Sequence, residues 1–362
     1  MPTVELTLPH HCYAVRIEPG TLVRLGELVR AVAPHERAGL IVDEQIAASH
    51  GRVAARSLTA AGYDACVADM PVGEQHKTLG TVRSLYDVLL THHLERKCPV
   101  IALGGGITGD TVGFAAATYL RGVPFVQCPT TLLAMVDASV GGKVGVNVPQ
   151  GKNLIGAFHQ PALVVIDPET LRTLPDRELR CGLAECVKHA VIRDASLFDW
   201  LEREQPAIAA LDSATMTALV ERNVRIKADV VMEDEKESGV RAHLNFGHTF
   251  AHAIEAATAY GQYHHGEAVS LGMVAATRLA VDAGRCRSGV LDRLVTLLEK
   301  VGLPTAADDL PATAKLLEAM RLDKKVAAGR IRLVLPTQLG EVVIVDDVPD
   351  DAIAAAWETL RA

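Results

Sequence analysis

The chain has no basic tract, no C-x-x-C pair, no internal repeat, no low-complexity segment and no uninterrupted apolar run long enough to cross a bilayer. Each absence removes a class of protein. A nucleic-acid binder presents a basic face, whereas the formal charge here is -8 with a pI near 6.0, so no nucleic-acid partner is expected. A membrane helix needs roughly 18 or more consecutive apolar residues. None occurs, and the first nine residues lack the basic segment and apolar run of a secretory signal. No membrane partner and a cytoplasmic location are therefore expected. The seven cysteines, Cys12, Cys66, Cys98, Cys128, Cys181, Cys186 and Cys286, are scattered and odd in number. That pattern fits reduced, mostly buried thiols rather than a disulfide framework or a zinc knuckle.

What is present is core-forming material. With 362 residues, 49% hydrophobic and 22% charged, the chain exceeds one ordinary core and fits two domains. From Val4 to about Leu174 short apolar runs alternate with helical stretches. Ala38 to Val42, Pro99 to Leu103, Pro124 to Cys128 and Leu163 to Ile166 read as strands, which predicts α/β alternation, a mostly parallel sheet and sites at the carboxyl ends of its strands. After Pro175 long amphipathic segments take over, among them Arg177 to Arg193, Thr215 to Val231, His248 to Thr258 and Ala268 to Ala283. A late hairpin is expected where Ile331 to Leu335, Gly340 and Glu341 to Val345 follow one another. The predicted fold is an α/β, Rossmann-like N-terminal domain over residues 1–176, followed by a mainly α-helical, metal- and substrate-binding C-terminal domain over residues 177–362.

The first half carries a candidate phosphate cradle. After the strand at Val100 to Leu103 come Gly104, Gly105, Gly106, Ile107, Thr108, Gly109 and Asp110, then an apolar helix. Glycines let backbone N–H groups approach a pyrophosphate, and the helix N-terminus adds a positive dipole end. A dinucleotide is the natural ligand, although the run is not G-x-G-x-x-G, and an unliganded tight turn is the plain alternative. Asp110 reads equally as a helix cap or as a cofactor contact. Asp43 follows a strand where a carboxylate can meet a ribose hydroxyl, and Gly73, Glu74 and Lys77 lie in a second polar turn. Further on, Arg121, Thr130, Thr131, Asp137, Lys143, Asn147, Lys152 and Asn153 are embedded among glycines. Lys143 and Lys152 suggest loops wrapped around an anion, drawn in against the net charge of the chain.

The second half carries a candidate metal constellation. His248 and His252 are spaced i and i+4, one turn apart on one helix face. A metalloprotease would have Glu at the second position of this motif, and Thr249 stands there instead. His264 and His265 return shortly after, and Glu185, on a helix with Lys188 and His189, can complete two nitrogens and one oxygen. Spacing alone does not separate His252 from His265 as the second imidazole. A set of core histidines is the bland alternative, which four imidazoles within eighteen residues disfavour.

Taken together, Gly104 to Asp110, Pro129-Thr130-Thr131, Met135 to Lys143, Gly151-Lys152-Asn153, Leu183-Ala184-Glu185, Arg241 to Thr249 and His265 to Ala268 resemble the 3-dehydroquinate synthase family over nearly the whole chain. The resemblance implies that Glu185, His248 and His265 hold a catalytic Zn2+ or Co2+, and that His252 faces the substrate phosphate. It groups Asp137, Lys143, Lys152, Asn153, Lys188, Lys227, Arg241, Asn245 and one of Lys324 or Lys325 around a phosphorylated seven-carbon keto acid. Arg121 becomes a candidate to be supplied across the interface of a homodimer. NAD is implied along the glycine turn, with Asp43, Gly73, Glu74, Lys77, Gly104, Gly105, Gly106, Gly109, Asp110, Thr130, Thr131, Lys143 and Lys152 as neighbours. Ala138, Ala251 and Cys186 depart from the family's commoner residues without removing a charge or a ligand.

The implied reaction converts 3-deoxy-arabino-heptulosonate 7-phosphate to 3-dehydroquinate and phosphate, using NAD without consuming it. Three rivals differ in what they would show. A metal-dependent alcohol dehydrogenase would accumulate NADH and would not need the Lys143, Lys152 and Arg241 cations. A sister sugar phosphate cyclase would make another carbocycle, and Asn245 and His252 argue against it. A noncatalytic sensor on the same fold would be expected to have lost a ligand or phosphate contact, and none is lost.

Overall fold

The computed structural model describes residues 2–258, 261–322 and 331–361. By its internal contacts the chain divides into two compact units, Met1–Leu174 with Ser213–Glu235, and Pro175–Asp212 with Lys236–Ala362.

In the first unit the strands are β1 (Thr3–Leu8), β2 (His11–Ile17), β3 (Arg37–Asp43), β4 (Asp64–Met70), β5 (Val100–Gly104), β6 (Phe125–Pro129), β7 (Lys143–Val148), β8 (Gly151–Phe158) and β9 (Leu163–Ile166). Its helices are α1 (Leu25–Val32), α2 (Arg52–Ala60), α3 (Leu79–Thr91) and α4 (Gly106–Thr118). Seven of the strands form one sheet in the order β1-β2-β9-β6-β5-β3-β4, parallel throughout except for the β1–β2 hairpin at one edge. The middle strands β5, β6 and β9 are buried along their whole length, as they must be when helices cover both faces. Side-chain alternation divides the core in two. Ile41 and Ala102 pack with Val82, Leu85, Val112 and Ala115 of α3 and α4. Leu40, Val42, Ile101 and Leu103 pack with Val29, Ala54 and Leu58 of α1 and α2. From β3 the chain crosses to β4 on one side and then to β5 on the other, so the carboxyl ends of β3 and β5 flank the point where strand order reverses.

Two features depart from the sequence prediction. Lys143, Lys152 and Asn153 sit on the antiparallel β7–β8 hairpin rather than in loops. Helix α7 (Ser213–Glu233), expected in the second domain, belongs to the first unit. Between them, α5 (Asp176–Arg193) and α6 (Ala195–Ala209) start the second unit. Helix α7 packs its buried Leu219, Val220, Val224 and Val231 side on the β1–β2 edge and on the π-helical turn Ala134–Ala138.

The second unit continues with α8 (His248–Ala257), α9 (His265–Asp282), α10 (Ser288–Lys300), α11 (Thr313–Leu322), the expected hairpin β10 (Leu333–Gln338) with β11 (Glu341–Val345), and α12 (Asp350–Glu358). Helices α5 and α9 are buried over most of their length and form its centre. Among the described residues no helix is long and apolar enough to cross a membrane.

Candidate functional site

In the first unit, β5 ends at Gly104 and α4 begins at Gly106, so the glycine run lies at the reversal point. The backbone there leaves no room for a side chain: a Cβ on Gly104 would lie 2.7 Å from Thr108 Oγ1 and 2.9 Å from Asp43 Cβ. Asp43, at the end of β3, is thus packed against the turn. Its Oδ1 accepts from Gln45 N at 3.0 Å, and burial pushes its carboxyl above the usual range. Thr130 N donates to Gly104 O at 2.9 Å, and Thr131 caps the next turn by accepting from Ala134 N at 3.2 Å. Glycines, Asp43, Thr130 and Thr131 therefore converge at one strand end. Gly109 packs instead against Gln127 of β6.

A second polar group adjoins the start of α4. The buried Lys77 donates from Nζ to Asp110 Oδ2 and Asn153 Oδ1, both at 2.6 Å. Burial raises the Asp110 carboxyl while Lys77 opposes the shift. Gly73 precedes the turn Glu74–His76. Glu74 accepts from Asn147 Nδ2 at 2.7 Å and lies 3.9 Å from Lys152 Nζ. The structure thus joins Glu74, Lys77, Asp110, Asn147, Lys152 and Asn153 into one network holding β8 to the turn. Lys143 is exposed at the start of β7. Asp137 lies close to the glycine turn: its Oδ1 is 2.5 Å from Lys227 Nζ of α7, the Lys227 charge acts on Asp110, and a Cβ on Gly106 would lie 3.3 Å from Ala138 Cβ.

Arg121 is at the other end of the sheet. It precedes β6, whereas Thr130 follows it, a strand length of roughly 17 Å away. Leu120, Arg121 and Gly122 all have positive φ, at 49°, 67° and 109°. Arg121 lines an open cavity of about 360 Å3 with His11, His159 and Gln160.

In the second unit, α5, α8 and α9 bring together Glu185, His248 and His265. Two close approaches make this possible. Gly247, at φ 76°, turns the chain into α8 where a Cβ would meet Met273 N of α9 at 2.9 Å. Gly266 opens α9 where a Cβ would sit 2.3 Å from Cys181 Cα of α5. Glu185 is wholly buried and its Oε1 is 3.6 Å from Nε2 of both His248 and His265. That distance is too long for hydrogen bonds, while the donor atoms of all three residues lie within 4.8 Å of one another. The fully buried Lys188 pairs with Glu185 Oε2. Burial opposes the Glu185 charge, and Lys188, His248 and His265 override it, holding the carboxyl well below the ordinary range.

Each imidazole is fixed from behind. His248 Nδ1 is 3.1 Å from Phe246 O, and His265 Nδ1 is 3.3 Å from Glu255 Oε1. Both Nε2 atoms therefore turn toward Glu185, the arrangement that orients histidine ligands. Without a cation, burial works against protonation of His265, but Glu185 and Glu255 push it up to about 10. Three converging donors, one anionic and two imidazole, fit a divalent cation with an open position. His252 stands one turn beyond His248, its ring edge-on at 5.8 Å, and is not in the donor triad. Arg241 is buried on the turn Val240–Asn245, and Asn245 Nδ2 donates to Glu237 Oε1 at 3.2 Å. Lys324 and Lys325 lie outside the described residues. Glu255 and Glu237, the partners of His265 and Asn245, are residues that the sequence does not flag.

A cradle at the reversal point of one unit and a donor triad in the other define the class, an enzyme equipped for a dinucleotide and a divalent cation. Residues 67–181 match the family model for the 3-dehydroquinate synthase N-terminal region, and residues 182–326 match that for the 3-dehydroquinate synthase C-terminal region. The chain is 46% identical over 352 residues to a 3-dehydroquinate synthase of Nostoc punctiforme, covering 97% of each, and 48% identical over 363 residues to one from a Synechococcus species, covering 99% and 98%. Among solved structures it is similar to 2-epi-5-epi-valiolone synthase from Streptomyces hygroscopicus, determined with NAD+ and Zn2+ bound, at a TM-score of 0.90 and 31% identity over 98% of each chain. The chain belongs to the 3-dehydroquinate synthase family.

Proposed function

We propose that this protein is a carbon–oxygen lyase of aromatic biosynthesis that closes 3-deoxy-D-arabino-heptulosonate 7-phosphate to 3-dehydroquinate with loss of phosphate. The observation that carries the chemistry is the buried Glu185 carboxylate, 3.6 Å from two imidazole Nε2 atoms that are each fixed from behind. A divalent cation, zinc or cobalt, held by Glu185, His248 and His265 would polarise adjacent substrate hydroxyls, and NAD along the glycine turn would accept and return a hydride. The net reaction breaks one carbon–oxygen bond to phosphate, forms one ring carbon–carbon bond and leaves NAD unchanged.

The protein's own groups bind and orient. Lys188 compensates the buried Glu185 charge, and Glu255 and Phe246 O fix the imidazoles. Lys77 holds Asp110 and Asn153 beside the cradle, and Lys227 holds Asp137. Lys143, Lys152, Asn153 and His252 are assigned to the substrate phosphate, whose own oxygen takes the proton lost before elimination. Arg241, Asn245 and Lys188 are assigned to the remaining oxygens. Arg121, a strand length from the cradle of its own unit, is assigned to the partner's site in a cytoplasmic homodimer.

Identity of 46% and 48% to 3-dehydroquinate synthases, against 31% to the valiolone synthase, favours the first product over a sister carbocycle. Phosphate release from the heptulosonate phosphate, with catalytic NAD, added metal and NADH absorbance followed together, tests the reading. Stoichiometric phosphate and 3-dehydroquinate without net NADH is expected. Another carbocycle, or steady NADH production from simple alcohols, would overturn it.

A further inference from the structure

A second group of side chains that could ligate a metal lies beside the first, on α5 and at the start of α9. Glu178 and Cys181 are one turn apart on α5, and His264 immediately precedes α9. Their donor atoms all lie within 4.8 Å of one another, with His264 Nδ1 2.9 Å from Glu178 Oε1. Cys181 is one turn before Glu185, and His264 adjoins His265, so α5 and the start of α9 contribute donors to both groups. We propose that Glu178, Cys181 and His264 form an accessory site for a borderline-soft divalent cation such as zinc or cobalt, distinct from the Glu185 triad.

Three observations support it. A thiolate, an imidazole and a carboxylate are a donor set that such cations select. The framework is rigid, because Gly266 lets the first turn of α9 approach the Cys181 backbone closely. Burial and the Glu178 charge push the Cys181 thiol up to about 12 despite hydrogen bonds from the Gly266 and Glu267 N–H groups, so a cation bound there has to displace the thiol proton. The site is also accessible: Cys181 is buried, but the Glu178 and His264 side chains are 42% and 37% exposed, leaving room for water in the remaining positions. Nearby, Arg177 is engaged with Glu267 at 2.6 Å and does not take the Glu178 carboxylate in the hydrogen bonds it makes.

The test is a Co2+ titration of the metal-free full-length chain, reading stoichiometry by equilibrium dialysis and thiolate-to-cobalt charge transfer by near-ultraviolet absorbance. The Glu185 triad contains no sulfur, so the charge-transfer band distinguishes the accessory site from it. Two equivalents are expected, one of them bringing the band. The near-isosteric Cys181→Ser should remove the band and one equivalent. His248→Ala should remove the other equivalent and keep the band, which separates this proposal from the catalytic one. A single equivalent without the band would overturn the proposal, leaving a His264–Glu178 ion pair. So would a band that survives Cys181→Ser and disappears in Cys12→Ser or Cys286→Ser.

Discussion

At the scale of single residues, Glu255 shows what a sequence conceals. It lies seven residues after His248 on an amphipathic helix, where a lone acid reads as part of the solvated face, yet it is buried and holds His265 Nδ1. The two histidines one turn apart on α8 were legible because i and i+4 share a face. Which imidazole joins Glu185 was not, because that depends on how α9 returns to α5. Glu255→Gln keeps the shape and removes the charge behind His265. Metal affinity, measured by chelator competition, should fall about 10–100-fold with the fold unchanged; unaltered affinity would show that Glu255 does not orient the ligand. A paired test divides the remaining roles. His265→Ala should lose bound metal and turnover together, whereas Lys152→Ala should retain metal and weaken substrate binding. Metal content and KM on both variants check this, and a metal-replete, inactive His265→Ala would count against the ligand assignment.

At the scale of elements, the strands and the glycine turn were readable because both faces of the sheet are covered: continuous apolar runs such as Val100 to Leu103 have no other stable place. The β7–β8 hairpin was not, since Gly141, Gly142 and Gly151 around Lys143 and Lys152 resemble loop punctuation as much as hairpin ends. Pairing of Lys143 with Phe158 and Val144 with Ala157 gives the element its identity, and that is long-range information. The junction of α5 and α9 is equally invisible from local pattern. A Cβ on Gly266 would lie 2.3 Å from Cys181 Cα and 2.6 Å from Cys181 O, so the helices cannot stay in register with any side chain there. The obstructing atoms are backbone and cannot rotate away. Gly266→Ala should therefore cost at least the roughly 1–3 kcal/mol of ordinary overpacking and loosen metal binding. Denaturant midpoints with and without metal measure both effects, and a variant as stable and as metal-avid as the parent would mean that the two helices separate freely.

At the scale of the molecule, amphipathicity told that α7 buries a face but not which surface it buries it against. Its Leu219, Val220 and Val224 side packs on the β1–β2 edge, so the chain leaves the first unit at Leu174 and returns to it for one helix. The same limit applies to Arg121: its position before β6, with three successive residues at positive φ, places it a strand length from the glycine turn. If it serves a partner's site, two defective chains can complement each other. Arg121→Ala supplies an intact body but no arginine; Lys152→Ala supplies the arginine but a defective body. Mixed dimers of the two would contain one site with both groups and one with neither. With random reassortment half the dimers are mixed, so an equal mixture refolded together should recover roughly a quarter of parental activity, while each variant alone stays near its own low rate. If Arg121 acts within its own subunit, every site in the mixed dimer lacks one group and mixing recovers nothing.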